Sequence, residues 1–213
     1  MIIITGATGK LGRQIVERLL ARVPAYGVGV SVRDADKAQD LADRGVRVRA
    51  GSFTEPESLA YAFEGASQVL IVSVDKLGDE AVDLHRAAID AAITAGARRI
   101  LYTSHAGARH DSHFQACRDH AATEDALSAS GVAFTALRNG FYAATVRQFL
   151  GQALGSGQIV LPTDGPVSWT IAPTSPRSRR GFSPMNAGSM DRPRLSPGLG
   201  PTPTTTSLPW RAS

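Results

Sequence analysis

From Met1 to Thr170 the chain alternates short apolar runs with amphipathic stretches, the pattern of a parallel sheet buried on both faces by crossover helices. Six runs rich in Val, Ile and Leu predict strands: Met1 to Thr5, Val28 to Val32, Val46 to Ala50, Gln68 to Val74, Arg99 to Ser104 and Ala133 to Leu137. Between the first two, Leu11, Ile15 and Leu19 recur at helical spacing with Val16, Leu20 and Val23 beside them. Glu57 to Phe63, Glu80 to Ala95 and Ala121 to Ser130 predict further helices, the last two stopped by Gly96 and Gly131. Strands joined by helical crossovers make an α/β, doubly wound parallel sheet of the Rossmann type.

After Thr170 the periodicity stops. Residues 171–213 hold eight of the twelve prolines, no Lys and no Tyr, the composition of a disordered tail. A natural extension is one explanation. Another comes from shifting the frame by two nucleotides: Ile171 onward can then be read as RADLAE and AAGILADE separated by one residue, and Gly188 to Pro197 as FDGPTPPLT. An amphipathic helix and a turn-strand segment reappear where the fold needs them. The expectation is therefore a Rossmann domain over residues 1–150, the start of a substrate lobe over 151–170, and an out-of-frame tail over 171–213, so that most of the lobe is missing. Resequencing the DNA around codon 170 tests the frame loss.

A chain of 213 residues with 43% hydrophobic content can bury one substantial core. The formal charge of +4 and pI of about 9.6 raise nucleic acid as a partner. The charge lies in the tail, where six Arg face the single acid Asp191; the first 170 residues carry 17 basic and 18 acidic side chains. The body is nearly neutral and offers no nucleic-acid face. One cysteine, Cys117, excludes an internal disulfide, and the start has neither a basic leader nor a long apolar run. These features predict a cytoplasmic protein with no membrane partner, and leave self-association into a homo-oligomer open.

Thr5-Gly6-Ala7-Thr8-Gly9-Lys10-Leu11-Gly12 falls between the first strand and the first helix, the context that makes a glycine fingerprint informative. Gly6 allows the sharp turn, Gly9 lets backbone amides approach a pyrophosphate, and Gly12 lets the helix pack close to the sheet. The helix N-terminus adds unpaired amides and a partial positive charge. A dinucleotide is the expected ligand, held by Gly6, Ala7, Thr8, Gly9, Lys10, Leu11 and Gly12. At the end of the second strand, where an NAD site usually offers an acid to the ribose, this chain has Arg33, with Lys37 a turn later. Both could pair with a 2′-phosphate, which favours NADP (NADPH) over NAD. Asp34, next to Arg33, is the residue that would serve NAD.

The G-x-x-G-x-x-G spacing resembles the extended and atypical branches of the short-chain dehydrogenases. Residues 1 to 170 are most similar to their NmrA-like group, and within it to bacterial NAD(P)H:quinone oxidoreductases. Thr5 to Gly12, Val32-Arg33-Asp34 with Lys37-Ala38, Ala91-Ala92 with Ala95-Gly96, Tyr102-Thr103-Ser104, Asp119-His120 with Thr123-Glu124, and Leu137-Arg138-Asn139-Gly140-Phe141-Tyr142 carry the resemblance. It implies that Ser73, Val74, Asn139 and Tyr142 lie along the nicotinamide half of the cofactor; by themselves these residues are a strand end and an ordinary loop. Two departures stand out. Ser52 follows Gly51 where the family often has an acid near the adenine, and family members continue through a C-terminal lobe that covers the substrate.

Alcohol chemistry in this superfamily uses Tyr-x-x-x-Lys, the lysine lowering the tyrosine pKa. None of the four tyrosines here has Lys four residues later, and the equivalent helix reads Ala116 and His120. Quinone reduction needs less help, because the anion formed is the base of an acid of pKa ~10. The resemblance and the missing pair thus agree on an oxidoreductase passing hydride from NADPH to a quinone. A non-catalytic NADP-sensing regulator of the same group, or an impaired, poorly soluble truncated product, are the alternatives. No catalytic residue is assigned: His120 is a proton donor or a structural helix histidine, and Ser104 a substrate contact or a turn cap. His105, His110, Asp111 and His113 match no metal-ligand spacing, and Cys117 has no nucleophile's partner near it in sequence.

Overall fold

The computed structural model describes residues 1–143 and 169–170. Six parallel strands, β1 (Ile2–Thr5), β2 (Val28–Val32), β3 (Arg47–Ala50), β4 (Gln68–Ile71), β5 (Arg99–His105) and β6 (Ala133–Asn139), form one sheet in the order β3-β2-β1-β4-β5-β6. They are joined through α1 (Lys10–Leu20), α2 (Gln39–Ala42), α3 (Pro56–Phe63), α4 (Asp79–Thr94) and α5 (Gln115–Ala129). The order reverses between β1 and β4, the switch point at which doubly wound sheets bind ligands.

Alternate residues of each strand feed two separate cores. Ile3, Val69, Ile71, Ile100 and Tyr102 pack with Leu59 and Phe63 of α3, Ala88, Ile89 and Ala92 of α4 and Leu127 of α5. Ile4, Val28, Val30, Val32 and Leu70 pack with Val16 of α1 and Leu41 of α2. Burial on both faces is why these strands read as unbroken apolar runs. Leu101 and Leu137, on the α1 face of β5 and β6, are only partly buried, and among the described residues no helix covers that corner.

Three boundaries differ from expectation. β4 stops at Ile71 because the next three amides leave the ladder for side chains: Val72 N donates to Thr5 Oγ1 (2.8 Å), Ser73 N to Thr103 Oγ1 (2.8 Å) and Val74 N to His85 Nε2 (3.0 Å). α5 begins at Gln115, six residues before the predicted Ala121; its inward face includes the buried polar residues Asp119 and Thr123, which interrupt the apolar period. The four-residue α2 is too short to leave a period at all.

This sheet belongs to a compact unit, Met1–Gly140; Phe141–Ser213 form a second. In the second, β7 (Phe141–Tyr142) pairs in parallel with β8 (Trp169–Thr170). The rest of the expected substrate-lobe segment, and the whole tail from Ile171, lie outside the described residues.

Candidate functional site

In a parallel sheet every C-terminal strand end reaches the same edge, and most of the expected residues gather there. The Gly6–Gly12 loop leaves β1, Arg33 follows β2, Ser73 and Val74 follow β4, and Asn139 ends β6. Tyr142 lies on β7 in the second unit.

The loop is shaped by its backbone. Gly6 sits at φ +64°, a conformation that side chains resist, and its amide donates to Ser31 O (3.2 Å). Gly9 N returns to Gly6 O at 2.9 Å and closes the turn. A Cβ on Gly12 would stand 2.3 Å from Gly6 O and 3.1 Å from Ala7 Cα. The close approach that Gly12 permits is therefore of helix α1 to the loop itself, rather than to the sheet as expected. Ala7 is buried beneath, while Thr8, Gly9 and Lys10 face outward. No side chain caps α1 and no acid stands in its first turn. An uncapped helix start with outward amides fits the pyrophosphate of a dinucleotide.

At the end of β2, Arg33 is exposed and forms no ion pair among the described residues. Lys37 does not join it: Lys37 Nζ lies 3.2 Å from Asp34 Oδ2, and Asp34 Oδ1 accepts the Asp36 amide at 3.2 Å. The acid that would serve NAD is thus engaged locally, and the arginine is available.

The third part joins His120 to partners that the sequence does not pair with it. Tyr102, fully buried on β5, places its hydroxyl 2.6 Å from His120 Nδ1 and 3.4 Å from His85 Nδ1. His85 Nε2 accepts the Val74 amide (3.0 Å), so a neutral ring carries its proton on Nδ1 and donates it to Thr123 Oγ1 (3.0 Å), which in turn donates to Asp119 O (2.8 Å). Burial, with a smaller contribution from His120, pushes His85 down to about 4. Burial likewise lowers His120, with His105 adding to it, and raises the Tyr102 phenol above its ordinary range. All three side chains are neutral at pH 7. The missing tyrosine partner thus reappears as a histidine, but between a strand and a helix instead of within one helix.

The remaining candidates are placed as follows. Ser104 is buried and donates to Glu124 Oε1 (2.5 Å), whose carboxylate is paired with Arg138 (2.5 Å); its hydroxyl is used inside the fold. Cys117 is buried with its sulfur 3.2 Å from His105 Nδ1, and His110 pairs with Asp125 (2.8 Å). Among the described residues no group of three His, Cys, Asp or Glu could hold a metal, and no helix is long and apolar enough to cross a membrane.

Residues 6–149 match the family described as NAD(P)H-binding. The chain is 40% identical over 144 residues to quinone oxidoreductase 2 of Escherichia coli strain K12, covering 67% of this chain and 49% of that protein. It is 33% identical over 174 residues to an NAD(P)H azoreductase of Xenophilus azovorans, covering 81% and 59%. The crystal structure of a triphenylmethane reductase from Citrobacter sp., complexed with NADP(H), superimposes with a TM-score of 0.67 at 37% identity, over 74% of this chain and 56% of that one. The chain spans about half the length of these relatives. With its sheet order, its glycine turn and this match over most of its length, the chain belongs to the NAD(P)H-binding family, in its NmrA-like group.

Proposed function

We propose that this chain binds NADPH and belongs to a cytoplasmic oxidoreductase that passes hydride to a quinone. The observation that carries the cofactor is the end of β2, where Arg33 is exposed and unpaired among the described residues while Asp34 is bonded to Lys37 and to the Asp36 amide. A guanidinium there suits a 2′-phosphate better than a vicinal diol. The loop from Gly6 through Ala7, Thr8, Gly9, Lys10 and Leu11 to Gly12 would hold the pyrophosphate. Ser73, Val74, Asn139 and Tyr142 would line the nicotinamide half. Both amides after β4 are bonded within the fold, so that stretch would meet the nicotinamide through carbonyls and side chains. When bound, NADPH supplies the hydride.

The quinone rests on two supports: a relative named quinone oxidoreductase, and a sequence in which no tyrosine has the Tyr-x-x-x-Lys spacing of alcohol chemistry. An acceptor whose reduced anion is only weakly basic needs no strong acid beside it. Steady-state oxidation of NADPH with 1,4-benzoquinone, alongside a direct NADPH titration, tests the reading. Turnover with NADPH preferred to NADH is expected. Tight binding without turnover overturns it in favour of a dinucleotide sensor.

A further inference from the structure

We propose that His120 donates its Nε2–H to the oxygen of the quinone as hydride is added, and that Tyr102 is the residue that positions it; this rests on the quinone-reductase reading above. The Val74 amide can only donate, so His85 Nε2 accepts and the His85 proton lies on Nδ1, bonded to Thr123. The Tyr102 hydroxyl, 2.6 Å from His120 Nδ1, can give its proton to that atom. A neutral His120 whose Nδ1 accepts must carry its own proton on Nε2. No hydrogen bond to that Nε2 is formed among the described residues, and the side chain is only partly buried.

The same chain of bonds runs back to Val74, at the strand end expected along the nicotinamide. His120 is thus connected, through Tyr102 and His85, to the Val74 amide at the end of β4.

The groups facing His120 favour a neutral donor over an imidazolium acid. On β5 these are Tyr102 and His105, whose ring lies nearly parallel at 6.2 Å; on α4 there is His85. On its own helix are Asp119, bonded to the Gly78 amide and Gln115, and Glu124, bonded to Ser104 and Arg138. Burial and His105 outweigh the two acids and hold His120 below its ordinary value. A neutral imidazole can polarise a carbonyl through its N–H without giving up the proton. In the step, a 1,4-quinone takes up hydride, two electrons and one proton, from the reduced nicotinamide, which is thereby oxidised. The carbonyl electron pair moves onto the oxygen held by His120, and water supplies the second proton that completes the hydroquinone.

The test uses the full chain labelled with 15N-histidine and saturated with NADP+, together with kinetics on variants. In long-range 1H–15N spectra His120 is expected as the Nε2–H tautomer, its Nε2 resonance moving when 1,4-hydroquinone is added. His120→Ala should lower kcat for benzoquinone about 100-fold with the NADPH dissociation constant changed less than about twofold, and His120→Gln, which restores an amide donor, should recover at least about tenfold of that. Tyr102→Phe should convert the His120 signal to mixed tautomers and lower kcat by about tenfold. Between pH 7 and 9 kcat should stay flat, the neutral imidazole being the working form. Wild-type kcat in His120→Ala overturns the inference, as does a kcat that falls with rising pH on an ionisation absent from that variant. If the wild type binds NADPH but reduces no benzoquinone, the functional reading fails separately. The spectra then decide for His120: a ring moved by hydroquinone supports the contact, and one left unmoved removes it.

Discussion

At the β1–α1 loop the main chain shapes the surface, through a positive φ at Gly6 and a helix that touches Gly6 O because Gly12 has no side chain. Around Tyr102 the interior is organised by side chains from β5, α4 and α5, bonded to one another and to an amide after β4. The first region is local in sequence and carries no charge of its own to titrate except Lys10. The second joins residues 74, 85, 102, 120 and 123, and holds two imidazoles neutral by burial. Backbone sites fail by steric contact; side-chain networks fail by protonation or loss of a partner. The two regions should therefore break under different treatments.

The largest effect belongs to Gly12→Ala. Its Cβ would meet the Gly6 carbonyl at 2.3 Å, and neither backbone can move without opening the turn. A destabilisation of about 3 kcal/mol and a fall of at least about 100-fold in NADPH affinity are expected, read by urea unfolding and fluorescence titration. A Gly12→Ala protein with wild-type affinity would mean that the loop does not hold the pyrophosphate.

Acid is the complementary treatment. His85 is held at about 4 against an ordinary 6.5, so the unfolded chain takes up the extra proton first. Stability is complete above pH 6.5, declines as the pH falls through that value, and stops declining near 4, a loss of ~3 kcal/mol. Denaturant unfolding at pH 7 and pH 4.5 should show this loss in the wild type and a smaller one in His85→Gln, where His120 and His105, also lowered by burial, still contribute. An equal slope in both proteins would place the titrating group elsewhere.

The same contrast explains what could be read in advance. All six strands and the glycine loop were legible because each depends on neighbours within a few residues: Ile3 and Ile4 point to opposite cores, and Gly6, Gly9 and Gly12 mark one turn. The end of β4 was not, since Val72, Ser73 and Val74 leave the ladder for Thr5, Thr103 and His85, partners that no local pattern announces. The sequence leaves His120 open between a proton donor and a structural helix histidine; that its partners are Tyr102 and, beyond it, His85 is not announced by any local pattern. Lys37 was expected beside Arg33; only the fold shows it turned to Asp34.

Arg33→Ala sharpens the loop end with a smaller change. Losing one charged hydrogen-bond donor to a 2′-phosphate is worth about 2 kcal/mol, so the preference for NADPH over NADH should fall roughly 10- to 100-fold. The NADH constant itself should hardly move. Separate titrations with the two cofactors check this, and an unchanged ratio would remove Arg33 from the site.

Gly27→Ala is expected to do least, and it isolates the reason for the first result. Gly27 closes a short 3-10 turn with its amide on Pro24 O (2.9 Å). It has no positive φ, and a Cβ there would meet nothing within 4 Å. With no clash to relieve, the substitution acts chiefly on the unfolded chain, whose freedom it reduces, and should raise stability by about 0.5 kcal/mol. NADPH affinity should be unchanged. The two substitutions add the same methyl group to the same residue type, fifteen positions apart, so composition alone does not distinguish them. A loss at Gly27 comparable to that at Gly12 would show that the sensitivity of the loop reflects a general intolerance of alanine for glycine in this fold. A gain at Gly27 beside a loss at Gly12 assigns the sensitivity to the 2.3 Å approach on Gly6 O.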